Sequence, residues 1–222
     1  MTPRQAGSQP PAPPPLPPGP GPLDADAVLA LYQQAGGLRR GHFVLSSGLH
    51  SDTYLQSAPV LQWPPAAEAL GRSLASRWHS QAPGGPVDVV VGPAMGGVVI
   101  GHEVARALGV RMVFTERTGD RGAGGAMALR RSFTVGPGER VLIAENVVTT
   151  GGSALEVAEL LRTAGAAVAG LVTIIDRLPA GARLPLPFTA LARIEAGAWE
   201  SAACPGCLQD ANAETPGSRG RI

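Results

Sequence analysis

Apolar residues in this chain fall into two alternating kinds of run. Short, mostly apolar runs at 87–91, 111–115, 141–144, 168–175 and 188–194 predict strands. Between them, residues 64–79, 98–108 and 153–163 carry apolar residues at helical spacing. Pro65 falls in a first turn, where its missing N–H costs little. A further helix is predicted over 23–35, with Asp24 as its cap and Val28, Leu29, Leu31 and Tyr32 as its buried face. Residues 41–56 predict an antiparallel pair, with Phe43 and Leu45 on one side of a Ser-Gly turn and Tyr54 and Leu55 on the other. Beyond Glu195 the pattern is weak. The alternation implies an α/β fold with a central parallel sheet, helices on both faces and a site at the carboxyl ends of the strands.

The segment 141–153 concentrates the candidate chemistry. A strand over 141–144 is expected to end at two polar residues, Glu145 and Asn146. Val147 and Val148 lead into Thr149, Thr150, Gly151 and Gly152, and Ser153 stands where a helix N-cap is expected. Glycines let backbone N–H groups approach an anion, and the helix dipole favours negative charge there. Thr149, Thr150 and Ser153 add hydroxyl donors, and Glu145 suits sugar hydroxyls or a hydrated magnesium ion. No Gly-Lys-Ser/Thr follows, and no Gly-x-Gly-x-x-Gly turn is present, so neither nucleotide motif applies. The alternative is an ordinary glycine-rich βα turn. A second glycine-rich strand-to-helix loop runs over 92–97 and contains Met95 and Gly96. The segment 116–131 is rich in glycine and carries Arg117, Arg121, Arg130 and Arg131, the composition of a mobile lid over an anionic substrate.

Composition narrows the field. With 222 residues, 44% hydrophobic and 16% charged, the chain suits one globular domain, expected over 23–207. Residues 1–22 hold ten prolines and predict a disordered tail, and residues 208–222 predict a polar one. A net charge of +1 gives no bulk attraction to nucleic acid or membrane. No apolar run reaches membrane-span length and no signal-peptide core is present, so a cytoplasmic protein is expected. All 18 basic residues are arginine and none is lysine. Cys204 and Cys207 form one Cys-x-x-Cys, half of a tetrahedral zinc site, which would need a dimer to complete it. His50 reads as a surface or capping residue.

The segment 141–153 resembles the phosphoribosyl pyrophosphate (PRPP) signature of the type I phosphoribosyltransferases. Residues 41–56, with Phe-x-Leu-x-Ser-Gly and Ser-x-x-Tyr, resemble the hood of the orotate branch of that family. The resemblance covers about residues 24–207. It implies the phosphoribosyltransferase (Rossmann-like) fold with a small hood from both termini, and transfer of the phosphoribosyl group from PRPP to orotate in pyrimidine synthesis. It assigns PRPP to Glu145, Asn146, Val147, Val148, Thr149, Thr150, Gly151, Gly152, Ser153, Met95 and Gly96. It assigns orotate to Thr149, Arg177, Tyr54 and Leu55, and catalysis to Arg117, Arg121 and Asn146. Mg2+ arrives with PRPP rather than on protein ligands of its own, and a homodimer exchanges lids. Three positions depart from the family pattern. Asn146 replaces the second acid of the signature, and Ser46 and Gly96 replace lysines. Two other readings follow: a PRPP-binding module with little activity, and a purine phosphoribosyltransferase, against which the hood speaks.

Overall fold

The computed structural model describes residues 13–15, 21–45, 47–81, 85–119, 125–208 and 212–216. The chain begins with α1 (Ala25–Gln34), β1 (Leu38–Val44), β2 (His50–Leu55), a single turn α2 (Ala58–Leu61) and the long α3 (Pro64–Gln81). There follow β3 (Val89–Pro93), α4 (Gly96–Leu108), β4 (Arg111–Arg117), β5 (Met127–Leu129) and β6 (Arg140–Val148). The chain continues through α5 (Gly152–Thr163), β7 (Ala167–Asp176), β8 (Phe188–Arg193), β9 (Ala198–Trp199) and α6 (Pro205–Leu208). Asp24 caps α1 as its sequence position predicts, its carboxylate accepting the Ala27 N–H at 2.8 Å.

A six-stranded sheet runs in the order β5-β4-β3-β6-β7-β8, parallel throughout except for β5. Its central strands are apolar on both sides because both sides are covered. Val90, Leu142, Ala144, Val172 and Ile174 join a core with α1, α3 and α4. Val89, Val91, Val141, Ile143 and Leu171 join the opposite core with α5. The period of two in each strand thus divides one sheet between two cores. Helices α3 and α4 meet very closely at Gly71, where a Cβ would lie 2.4 Å from that of Glu103.

A second sheet, β1-β2-β9, forms the hood. Its third strand comes from the region beyond Glu195 where the sequence pattern is weak. At two residues, β9 is too short to leave a periodicity. The N–H of Val44 donates to Glu214 O, and the Glu214 N–H donates to His42 O, each at 2.8 Å. Part of the expected polar C-terminal tail therefore lies along β1. In the expected N-terminal tail, residues 13–15, 21 and 22 are described, and Pro14 is buried.

The segment 116–131 is described at 116–119 and 125–131, and these parts carry strand structure that its glycines do not suggest. Its described parts are the legs of an antiparallel hairpin, β4 and β5, with Arg117 opposite Met127. Met127 is buried in the α5-side core, and that apolar anchor holds the second leg in place.

Candidate active site

The order of the large sheet determines where a site forms. From β3 the chain moves outward to β4, then returns to place β6 on the other side of β3. A crevice therefore opens at the carboxyl ends of β3 and β6, where the winding direction reverses. The β3–β6 ladder extends only to Val91 opposite Ile143. The β6–β7 ladder continues through Glu145 opposite Thr173 to Val148 opposite Asp176. The strand consequently does not stop after Ala144, as its apolar run suggests. Glu145 and Asn146 lie within β6, held by β7 on one side. On the other side, local bonds replace the lost ladder. The Asn146 N–H donates to Glu145 Oε1 at 3.0 Å and the Val147 N–H to Asn146 Oδ1 at 2.8 Å.

Beyond Val148 the chain turns through Thr149 and Thr150, both exposed, into α5. The N-cap is Gly151, at φ 78°, and no side chain caps the helix. Ser153 is therefore one step inside α5 and not its cap. Gly151 takes the left-handed conformation that a serine would adopt only with strain, and Leu184 lies 2.5 Å from where its Cβ would be. The Gly152 N–H donates to Thr150 Oγ1 at 3.3 Å, and the N–H groups that follow in the first turn have no partner within the helix. Here they face a small pocket lined by Glu145, Val147, Val148, Thr149, Thr150, Gly151, Gly152, Ser153 and Ala154. Its form suits a phosphate.

The second glycine-rich loop closes the other wall. After β3 the Ala94–Met95 peptide is cis and α4 begins at Gly96. A Cβ on Gly96 would lie 2.6 Å from Asn146 Oδ1 and 3.0 Å from Glu145 Oε1. One on Gly97 would lie 2.5 Å from Ala144 O. Glycine at both positions lets the start of α4 rest directly on the acidic end of β6. The structure thus brings Gly96, Glu145 and Asn146 together, while the Met95 side chain is 82% exposed.

Burial in this crevice pushes the Glu145 carboxyl up from 4.5 to about 7, against the opposing effect of the Asn146 N–H. No cation is paired with it among the described residues. The neighbouring amide of Asn146 supplies no compensating charge.

Arg177 follows β7, and its N–H donates to Val148 O at 2.8 Å, which fixes it beside the loop that leads into α5. Asp176, at the end of β7, pairs not with Arg177 but with Arg193, whose Nη1 is 2.7 Å from Asp176 Oδ2. The Arg177 guanidinium has no ion pair among the described residues. Burial lowers its pKa, and the charge of Asp52 on β2 opposes that shift. Arg177 is thus near enough to the hood to feel the charge of Asp52. Strand alternation sets Tyr54 on the same face of β2 as Asp52, and its hydroxyl donates to Gln56 Oε1 at 2.7 Å. Leu55 is on the other face, packed against the core beside α1.

Among the expected lid cations, Arg117 is held within its own chain. Its Nη2 is 3.1 Å from Glu156 Oε2 on α5, and its Nη1 donates to Gly125 O at 2.8 Å. Arg121 and Ser46 lie outside the described residues. The relation between Arg177 and Asp52 has no local sequence signal, because only the fold joins positions so far apart.

A family model described as a phosphoribosyl transferase domain matches residues 60–185, more than half of the chain and including both glycine-rich loops. Fold and crevice together define a phosphoribosyltransferase. The chain is 42% identical over 197 residues to the orotate phosphoribosyltransferase of Caldanaerobacter subterraneus subsp. tengcongensis, covering 89% of this chain and 99% of that protein. It is 45% identical over 197 residues to the orotate phosphoribosyltransferase of Pelotomaculum thermopropionicum, with the same coverage of 89% and 99%. The solved orotate phosphoribosyltransferase of Aeropyrum pernix matches it with a TM-score of 0.58 at 25% identity, covering 74% of this chain and 92% of that one. The chain belongs to the orotate phosphoribosyltransferases of this family.

The Glu145 environment predicts a pH-dependent stability. An acid whose pKa is raised takes up a proton on folding. Its contribution is fully present below pH 4.5 and is lost as pH rises through about 7. Glu145→Gln should therefore stabilise the ligand-free protein by on the order of 3 kcal/mol at pH 8 and by much less at pH 5. Denaturant unfolding of both proteins at the two pH values measures this. An equal difference at both would contradict the buried, raised carboxyl.

Proposed function

We propose that this chain transfers the 5-phosphoribosyl group of PRPP to N1 of orotate, giving orotidine 5′-phosphate and pyrophosphate. The observation that carries this reading is the crevice itself. The start of α5 and the half-buried Glu145 carboxyl line one pocket, and Arg177, without an ion pair among the described residues, is tied to Val148 at its edge. The 5-phosphate fits the N–H groups of the loop at 149–153, with the Thr149, Thr150 and Ser153 hydroxyls beside them. Glu145 accepts the ribose hydroxyls. The backbone around Met95 and Gly96 faces the pyrophosphate, and Arg177 forks onto the orotate carboxylate. Tyr54 and Leu55 belong to the hood wall on that side.

In the reaction, the bond from ribose C1 to the pyrophosphate oxygen breaks and its electron pair leaves with the pyrophosphate. The bond to N1 forms, and the N1 proton departs. Positive charge grows on the ribose ring in between. Arg117 and Arg121 supply fixed charge to the leaving phosphates once the hairpin closes, and Arg117 exchanges Glu156 for phosphate as it does so. Arginine does not readily give up a proton, so these residues act by charge alone.

The donor set suits Mg2+. One carboxylate, Glu145, faces the substrate phosphates, and such sites combine one or two carboxylates with phosphate oxygens. When bound with PRPP, the ion supplies charge neutralisation on the leaving group. Glu145, through water, is the residue that would hold it.

A homodimer with exchanged hairpins belongs to the same reading. Met95, 82% exposed, and Val99, 43% exposed, give the start of α4 an apolar surface that a second copy would cover. Mixing an Arg117→Ala/Arg121→Ala chain with a Glu145→Ala chain should restore activity. No restoration at any mixing ratio would assign the hairpin to its own subunit.

Purified chain with Mg2+, PRPP and orotate should consume orotate, followed by its ultraviolet absorbance. Consumption of adenine or guanine with orotate untouched would overturn the substrate assignment. In the same assay Asn146→Asp should raise turnover by about tenfold to a thousandfold with little effect on PRPP affinity, because the added charge meets a cation that develops only in the transition state. A slower aspartate variant would mean that the site is tuned around the amide. A variant as inactive as its parent would favour the binding-module reading.

A further inference from the structure

We propose that His42, His50, Cys204 and Cys207 form a Zn2+ site that fastens the C-terminal segment to the hood. Their ligand atoms all lie within 4.8 Å of one another. In β1 and β2, Val44 is opposite His50, so His42 is its diagonal neighbour on the same face of the hairpin. The ring centroids are 5.0 Å apart. From the other side, the turn at Ser201–Ala203 and helix α6 bring in the two cysteines.

The spacing suits a tetrahedral ion. Zinc bonds of about 2.3 Å to sulfur and 2.05 Å to nitrogen imply S···N edges of about 3.5 Å and an N···N edge of about 3.3 Å. Three S···N distances agree. Cys204 Sγ is 3.4 Å from His42 Nε2, and Cys207 Sγ is 3.5 Å from His42 Nε2 and 3.3 Å from His50 Nδ1. His42 Nε2 and His50 Nδ1 are 2.8 Å apart, so they need to spread by about half an ångström.

The chemistry of the donors points to zinc. Two thiolates and two neutral imidazoles are a set that zinc favours over magnesium or calcium. Binding takes one proton from each thiol, and the resulting assembly of Zn2+ and two thiolates is neutral. Neutrality suits a site in which Cys204 is only 1% exposed. Ser201 Oγ, 3.6 Å from Cys207 Sγ, can donate to that thiolate from outside the ligand set. Four protein ligands leave no open position, so the ion is structural and takes no part in phosphoribosyl transfer.

The completing ligands therefore need no second subunit. The sequence shows half of a site because the histidines lie more than 150 residues from the cysteines and follow no finger-like spacing. Zinc here would close a long loop of chain and brace the hairpin that carries Asp52 and Tyr54.

Full-length protein purified without chelator should hold about one zinc ion per chain by elemental analysis. Apo protein reloaded with Co2+ should show the intense visible bands of tetrahedral cobalt and a thiolate charge-transfer band. Cys207→Ser and His50→Ala should each lower metal content and the melting temperature of the loaded protein. They should leave unchanged the protein's resistance to heating in excess chelator. Folded wild-type protein that binds neither ion, an octahedral cobalt spectrum, or a Cys204–Cys207 disulfide found by mass in freshly purified protein would overturn the proposal. These readouts do not depend on orotate turnover.

Discussion

The contact between the start of α4 and the end of β6 governs the rest of this structure. Gly96 and Gly97 bring one loop onto Ala144, Glu145 and Asn146 with no room for a side chain between them. Without that approach the crevice between β3 and β6 would be a wide groove open to water. With it, two backbone-lined walls face each other at the place where the winding of the sheet reverses. The parallel order of the strands also matters, since it delivers two strand ends and two helix starts to one edge.

The same closeness sets the electrostatics. A carboxyl placed in a narrow cleft away from bulk water resists ionisation, and the Asn146 N–H works against that resistance. A chain without lysine cannot answer with a flexible ammonium group. It uses arginines, each fixed by a specific partner: Arg193 on Asp176, Arg117 on Glu156, Arg131 on Glu116. Arg177 differs: among the described residues it has no ion pair, and the charge of Asp52 opposes the effect of its burial. In the proposed reaction, a ligand that brings negative charge to Arg177 would meet a cation without an ion pair among the described residues.

Much of this was legible in the sequence. The apolar runs show the sheet, and the glycines flanking 94–96 and 149–153 show both loops, because those features act over a few residues. The errors were also local. The apolar run at 141–144 stops before β6 does, since Glu145 and Asn146 remain in the strand through pairing with β7. Ser153 has the chemistry of a cap, but Gly151 has the backbone freedom that this turn requires. In 116–131 the composition did not show the pairing of Glu116 and Arg117 with Ala128 and Met127, which the burial of Met127 anchors. The relation of Arg177 to Asp52 and the gathering of His42, His50, Cys204 and Cys207 were invisible, because each depends on where the hood folds back.

The central claim is that one half-buried, easily protonated carboxyl, Glu145, receives the ribose of PRPP and ionises as it does so. Calorimetric titration of PRPP and Mg2+ into the protein near pH 7, repeated in buffers of different ionisation enthalpy, counts the protons exchanged on binding. Subtracting the same experiment on Glu145→Gln removes the protons that belong to PRPP itself. The account predicts a net release of roughly half a proton per site in this difference, as a group with a pKa of about 7 becomes ionised. Equal proton counts for the two proteins, with PRPP bound by both, would contradict it.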